Sequence, residues 1–434
     1  MCNFEHLETH KLFLSFTREQ VKANMATWAY TTATGHQQYQ LPCANHGIDL
    51  YQITYKSKNC FASADAPPLI LSGLVAIPQT SETLAMLSFQ HGTMSQKIDV
   101  PSNFNFQSQS AVFAFSSGNY VTVFTDYPGL GVNPGWHPYV MSDPNAQAAI
   151  DCIRAARELL TYLKLNFSND LYVSGYSEGG LIAMAVTKSI IEMKYPTFNL
   201  KRSAPLSGPY RLATPFKDVY LSANFRAAAF VSYFGYLLMT WQNYYGGIYE
   251  SLQDVFRYPF YSTLPRLYDG ALPLQTTTLL IQQAMKEQKP QVPHHLINHL
   301  GLGNKQLLEE LTLLGNTFTI EFLERMVIQN SNDPLVKRIQ ENSRYDWSWK
   351  NPPVTMEMLL VGAMGDQEVF FANTLETVKA MRKKGVGPTQ LNYIDLGLDY
   401  SHDSAVTPAQ AAARLFFDNG FDDPAFSKFG HDPS

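Results

Sequence analysis

Apolar and polar positions along the chain sort into two kinds of run. Short runs rich in β-branched and aromatic residues, bounded by Gly, Pro, Asn or Asp, read as strands. They fall at Ile48 to Lys56, Pro68 to Pro78, Leu84 to Phe89, Tyr120 to Thr125, Leu171 to Ser174 and Arg202 to Ser207. Longer stretches with apolar residues three and four apart read as helices. The clearest carries Ile150, Ile153, Leu160 and Leu163 on one stripe, and Asp143 followed by Pro144 reads as its N-cap and first helical residue. Another helix runs from Leu181 to near Tyr195. Residues 11 to 45 read as helix and loop, so the sheet is expected to start at Ile48, and Gly73 marks a bulge between two apolar runs. Strands alternating with helices predict an α/β fold with a mostly parallel sheet covered on both faces.

The alternation stops after Tyr210. Up to Pro353 the chain is rich in aromatics and reads as helix and loop, with helical segments at Phe225 to Trp241, Gln275 to Lys286 and Leu307 to Gln329. Strand and helix then resume: Met356 to Val361, a helix at Ala372 to Lys384, a strand at Leu391 to Leu396, and a last helix from Pro408 to Phe417 capped by Thr407. A consecutive second domain would not let the sheet resume. The pattern therefore predicts one sheet domain, residues 1–210 and 353–434, carrying residues 211–352 as an inserted, mainly helical cap.

Composition narrows the class. Of 434 residues 45% are hydrophobic and 16% charged, which fits a globular chain. A net charge of −5 without a block of like charge gives no electrostatic footprint for nucleic acid. Cys2, Cys43, Cys60 and Cys152 form no CxxC pair and no metal-like spacing with histidine, so neither a metal nor an organic cofactor is expected. Cys43 and Cys60 flank a strand and are free to pair only if the protein is exported, whereas Cys152 falls in a helix as a small apolar residue. Met1 to His10 lacks the basic start and apolar segment of a secretory signal, which leaves a cytosolic or a processed protein open. The longest apolar stretch, Ala227 to Trp241, is shorter than the ~18 residues of a spanning helix.

One hexapeptide carries candidate chemistry. In Gly175-Tyr176-Ser177-Glu178-Gly179-Gly180 the spacing Gly-x-Ser-x-Gly lies between a strand and a helix, which presents Ser177 on a sharp bend. The bare pattern recurs by chance in Gly-rich turns; its flanks make it a candidate nucleophile. A serine hydroxyl needs a base at neutral pH, and His402, on the loop between a strand and the last helix, is the candidate. The histidine needs a carboxylate to fix its tautomer; Asp366, after the strand Met356 to Val361, is the choice over Glu368, Asp395, Asp399 and Asp403. His294, His295 and His299 read as surface or core histidines, and His91 as part of a loop's backbone geometry. Oxyanion donors are expected at the backbone N–H of Glu178 and of Thr93, the latter ahead of Gly92. The Glu178 side chain has no assigned role.

These segments, with Ser88-Phe89-Gln90-His91-Gly92-Thr93 and Asp126-Tyr127-Pro128-Gly129-Leu130-Gly131, resemble bacterial α/β-hydrolases of the secretory-lipase group, related to lipase A-type enzymes. The resemblance covers roughly residues 45–210 and 353–420 and leaves the cap unmatched. It implies a Ser177, Asp366, His402 triad, oxyanion donors at Thr93 and Glu178, and cleavage of carboxylic esters through an acyl-enzyme. The Tyr127 turn looks like a family feature but is given no chemistry. Members of the group usually carry an export signal. A small-molecule or lipid ester is the expected partner, with peripheral contact with a lipid interface in the second case. A serine peptidase or acyltransferase on the same fold, and a non-catalytic hydrolase-fold binding protein, are the alternatives.

Overall fold

The computed structural model describes residues 4–34, 37–193, 197–212, 226–288, 305–328, 331–349 and 355–422. A nine-stranded sheet runs through it in the order β1-β4-β5-β7-β6-β8-β9-β10-β11. Its strands are β1 Leu7–Phe16, β4 Ile48–Ser57, β5 Leu69–Pro78, β6 Leu84–Gln90, β7 Tyr120–Thr125, β8 Phe167–Tyr176, β9 Asn199–Leu206, β10 Glu357–Gly362 and β11 Leu391–Asp395. A separate hairpin pairs β2 Thr31–Thr34 with β3 Gln37–Gln40. From β7 through β11 every neighbouring pair is parallel, whereas β1, β4 and β5 join antiparallel on one side.

β1 corrects the expected start of the sheet. Residues 7–16 form its outermost strand, and only Leu7 among them is buried, so the run lacks the alternation that marks a half-buried strand. Gly73 is no bulge: its register with Ile53 is continuous, and a Cβ there would strike the Phe124 carbonyl of β7. The glycine is there for close strand approach.

Both faces of the sheet are packed. One face carries the helices Ser142–Tyr162 and Glu178–Met193, with Ile150, Ile153, Leu159 and Leu160 buried against Val75, Val123 and Val173. The other is covered by Phe106–Ala111, the wide turn Val112–Ser116 and the C-terminal helix Val406–Asn419. Two predicted caps differ. Asp143 lies in the first turn of a helix that opens at Ser142 behind Met141, and Thr407 lies inside a helix that opens at Val406. Neither side chain caps its helix, because the preceding turns already deliver the chain in helical or extended geometry.

Between β9 and β10 the described residues hold helices at Ala227–Tyr245, Leu252–Val255, Phe260–Leu267, Leu274–Glu287, Lys305–Thr317, Ile320–Ile328 and Pro334–Asn342. The segment expected as one helix, Leu307 to Gln329, is broken at Phe318–Thr319, where Phe256 forms a β-bridge to Phe318. These helices share a hydrophobic cluster of their own, including Phe234, Leu238, Trp241, Phe318 and Phe322. Tyr139, Met141 and Leu181, from the chain around the elbow, join that cluster. His294, His295 and His299 lie outside the described residues. Cys43, Cys60 and Cys152 are free thiols, Cys152 buried and the other two exposed. No described helix is long and apolar enough to cross a membrane.

Candidate active site

The sheet delivers its candidate residues to one edge. β8 ends at Tyr176, and the helix starts at Glu178, so Ser177 alone makes the bend, with φ at 61° in the left-handed region. Such a conformation is costly for a residue with a Cβ and is held by its surroundings. The Ser177 N–H donates to the Leu206 carbonyl (3.0 Å), and its carbonyl accepts from Gly180 N–H (2.8 Å). Gly175 and Gly179 meet across the bend: a Cβ on either would strike backbone, the Gly179 carbonyl in one case and the Gln90 carbonyl in the other. The Gly-x-Ser-x-Gly spacing is thus a steric requirement of this turn.

Asp366 stands on the loop after β10. Its Oδ1 accepts the N–H groups of Glu368 and Val369, both at 2.9 Å, and its Oδ2 faces His402 Nδ1 at 2.7 Å. The carboxylate is fully buried. On the loop after β11, His402 is fixed by its own carbonyl, which accepts from Tyr176 O–H at 2.6 Å, and its Nε2 lies 2.8 Å from Ser177 Oγ. Nδ1–H donates to Asp366, which leaves Nε2 to receive the serine proton. None of the rival carboxylates meets Nδ1: Asp395 Oδ1 accepts Met364 and Gly397 N–H, Asp399 and Asp403 are exposed, and Glu368 lies 4.0 Å from the other ring nitrogen, Nε2. Burial by itself would push the His402 imidazolium down. The facing Asp366 carboxylate, with Glu368 and Asp403 adding to it, outweighs that and lifts it to about 9.

The loop after β6 supplies the neighbouring segment. Gly92 N–H is taken up by Gln107 Oε1 at 2.6 Å. His91 is buried, its Nδ1–H donates to the Gly92 carbonyl at 2.7 Å, and burial lowers it to about 4, so it stays neutral. Thr93 Oγ1 donates to Tyr139 Oη at 3.2 Å. Glu178 opens the elbow helix, where N–H groups of the first turn have no intrahelical acceptor.

Three further side chains border the site: Glu368, read in the sequence only as a rival to Asp366, and Tyr233 and His137, which carried no signal there. Glu368 Oε2 lies 4.0 Å from His402 Nε2 and accepts from the Tyr233 hydroxyl, brought in by the helix Ala227–Tyr245. His137, from a loop without periodicity, lies 3.0 Å from the Glu178 carboxylate. Ser177 sits where two clefts meet, with Tyr233 in both walls. One, about 1050 Å³ with its open mouth, is walled by Leu212, Phe230, Phe234, Leu237 and Val369. The other, about 1230 Å³, carries Thr93, Asn105, Gln107, His402 and Gln410.

A mostly parallel sheet with a serine at its strand-to-helix bend, and a carboxylate and a histidine on the loops after its last two strands, is the α/β-hydrolase fold. No family model and no curated protein matches the sequence. Solved structures do. A "putative hydrolase" from Legionella pneumophila superposes with a TM-score of 0.75 at 25% identity, over 97% of this chain and 99% of that one. The rice cell wall degrading esterase LipA from Xanthomonas oryzae gives a TM-score of 0.76 at 24% identity, over 96% and 98% of the two chains. Candida antarctica lipase A in its closed state is more distant, with a TM-score of 0.56 at 16% identity over 86% and 78%.

Proposed function

We propose that the protein is a serine hydrolase that cleaves carboxylic esters through an acyl-enzyme. The observation that carries this reading is the unbroken row Ser177 Oγ, His402 Nε2, His402 Nδ1, Asp366 Oδ2, with contacts of 2.8 and 2.7 Å. Ser177 attacks the ester carbonyl as His402 takes its proton, and Asp366 holds the ring and stabilises the imidazolium. Charge gathering on the carbonyl oxygen is met by the N–H groups of Glu178 and Thr93. The engagement of Gly92 N–H by Gln107 favours Thr93 as the second donor. His402 then gives its proton to the departing alkoxide, and water, activated by the same ring, releases the acid. Because His402 lines the cleft with Asn105 and Gln107, the alcohol leaves there, and the acyl group occupies the apolar cleft of Phe230 and Phe234. Residues 211–352 act as a cap over 1–210 and 353–434. Lipid and short-chain esters are the substrates in view.

A fluorophosphonate probe and a p-nitrophenyl ester series of increasing acyl length test this together. Wild type is expected to be labelled at Ser177 and to turn over the esters, and Ser177→Ala to lose roughly 10⁴-fold or more in kcat. Folded wild type that is neither labelled nor active would overturn the reading.

A further inference from the structure

Behind the elbow lies a second histidine and carboxylate that the reaction above does not use. The side chains of His137 and Glu178 are both completely buried, with Nε2 and Oε1 3.0 Å apart. Glu178 Oε1 also accepts Val140 N–H at 2.8 Å, and His137 Nδ1 lies 3.2 Å from the Pro128 carbonyl oxygen. Both ring nitrogens therefore face acceptors. A neutral imidazole has a single N–H and leaves one of those contacts as two lone pairs facing each other, whereas an imidazolium donates to both. Glu178 Oε1 already accepts the Val140 N–H, so it meets the ring as an acceptor.

The surroundings suit a cation on the ring. Tyr127 stacks on it at 5.5 Å with planes 8° apart, and Tyr139 and Tyr236 flank it at 6.2 and 6.3 Å. Burial holds the hydroxyls of these three tyrosines well above their usual range, and His91 is neutral, so no other described charge faces the pair. The same tyrosines grip the loop that carries Thr93. Tyr127 donates to the His91 carbonyl at 3.3 Å, Tyr139 meets Thr93 Oγ1, and Tyr236 donates to the Met94 carbonyl at 3.3 Å.

We propose that His137 and Glu178 form a buried imidazolium–carboxylate pair that positions both oxyanion donors and keeps the Glu178 carboxylate from opposing negative charge on the substrate oxygen. Glu178 supplies one donor from its own backbone, so a net charge on its side chain sits within the same residue. Compensated by His137, it is neutral to the oxyanion; uncompensated, it repels it. The pair also ties the loop of Val140, whose φ is 47°, to the start of the elbow helix. This proposal rests on the ester-hydrolase reading and on Glu178 N–H as a donor. His137 and Glu178 are positioning residues: their side chains act through the backbone and its field.

The test combines His137→Phe, Glu178→Gln and the double variant with ring ¹⁵N NMR of wild type, each protein first checked for a cooperative melt. Wild type at pH 7 is expected to show both ring nitrogens of His137 protonated, assigned by their loss in His137→Phe. His137→Phe is expected to lose about 100-fold in kcat with little change in KM, the scale of a lost oxyanion donor. Adding Glu178→Gln to it should restore about tenfold, because the unpaired charge is gone. Affinity for a boronic acid mimic of the tetrahedral state should follow kcat across the three variants. If His137→Phe does not fold, Glu178→Gln alone should still weaken the boronic acid more than it raises KM. A neutral His137 ring in wild type, or a double variant no better than His137→Phe, would overturn the pair; wild type without Ser177 labelling would instead overturn the reading beneath it.

Discussion

At the scale of single residues, Nε2 of His402 faces two oxygens of different kind, the Ser177 hydroxyl at 2.8 Å and the Glu368 carboxylate at 4.0 Å. Burial raises Glu368 above its ordinary range, and His402 and Tyr233 pull it back. In the proposed reaction His402 is the base and works only unprotonated, so with its imidazolium lifted to about 9, kcat/KM should rise about tenfold per pH unit below that value and level off above it. Glu368→Gln removes one of the charges that hold the proton, so its profile should move to lower pH with the plateau retained. A midpoint unmoved by that substitution would exclude Glu368 from the balance. Stability has the opposite sign. A histidine raised from 6.5 to about 9 on folding contributes stability that is complete below its unfolded value and is lost as pH rises through about 9. The gap in urea midpoint between wild type and His402→Gln is therefore expected to shrink between pH 6 and pH 10. Residue type and order were enough to select Ser177, Asp366 and His402 as candidates. They offered Glu368 only as a rival to Asp366 and not as a second carboxylate beside His402; the Asp366 carboxylate captures the N–H groups of residues 368 and 369 and turns the chain there.

Elements show where periodicity carries information and where it does not. Strands buried on both faces, such as β7 and β10, read plainly as apolar runs. The edge strand β1 is mostly exposed and polar, and what defines it is pairing with β4, which lies more than thirty residues away in the chain. Capping chemistry at Asp143 and Thr407 was outweighed by the path of the preceding loops. In the elbow, by contrast, the glycines follow from backbone contact and leave little freedom. Gly179→Ala places a methyl against the Gln90 carbonyl, and overpacking at a close-packed site costs about 1–3 kcal/mol. Thermal melts should show that loss, accompanied by reduced labelling of Ser177 as the bend shifts. A fully labelled variant of unchanged stability would mean that the Gln90 strand moves aside at no cost.

Across the whole molecule, the helix Ala227–Tyr245 ties the helices between β9 and β10 to the chain around the elbow. It is fixed by Tyr236 to the Met94 carbonyl, by Trp241 Nε1–H to the Tyr139 carbonyl at 2.9 Å, and by Tyr244 to the Trp136 carbonyl at 2.5 Å. With Tyr233 in the walls of both clefts, this anchoring leaves Ser177 accessible without displacing the helix. Soluble short-chain esters should therefore be turned over below any micellar threshold; a rate that appears only above it would mean that the helix has to move. Trp241→Phe, which removes one buried hydrogen bond, should cost about 1 kcal/mol of stability. The sequence by itself determined the mostly parallel sheet flanked by helices and offered Ser177, Asp366 and His402 as candidates, because apolar periodicity and steric glycines are local properties. Only the tertiary structure decided that Ser177 faces two clefts, that Tyr233 lines both, and that His137 meets the Glu178 carboxylate. Those contacts join segments distant in the chain, and no local pattern encodes which of them will meet.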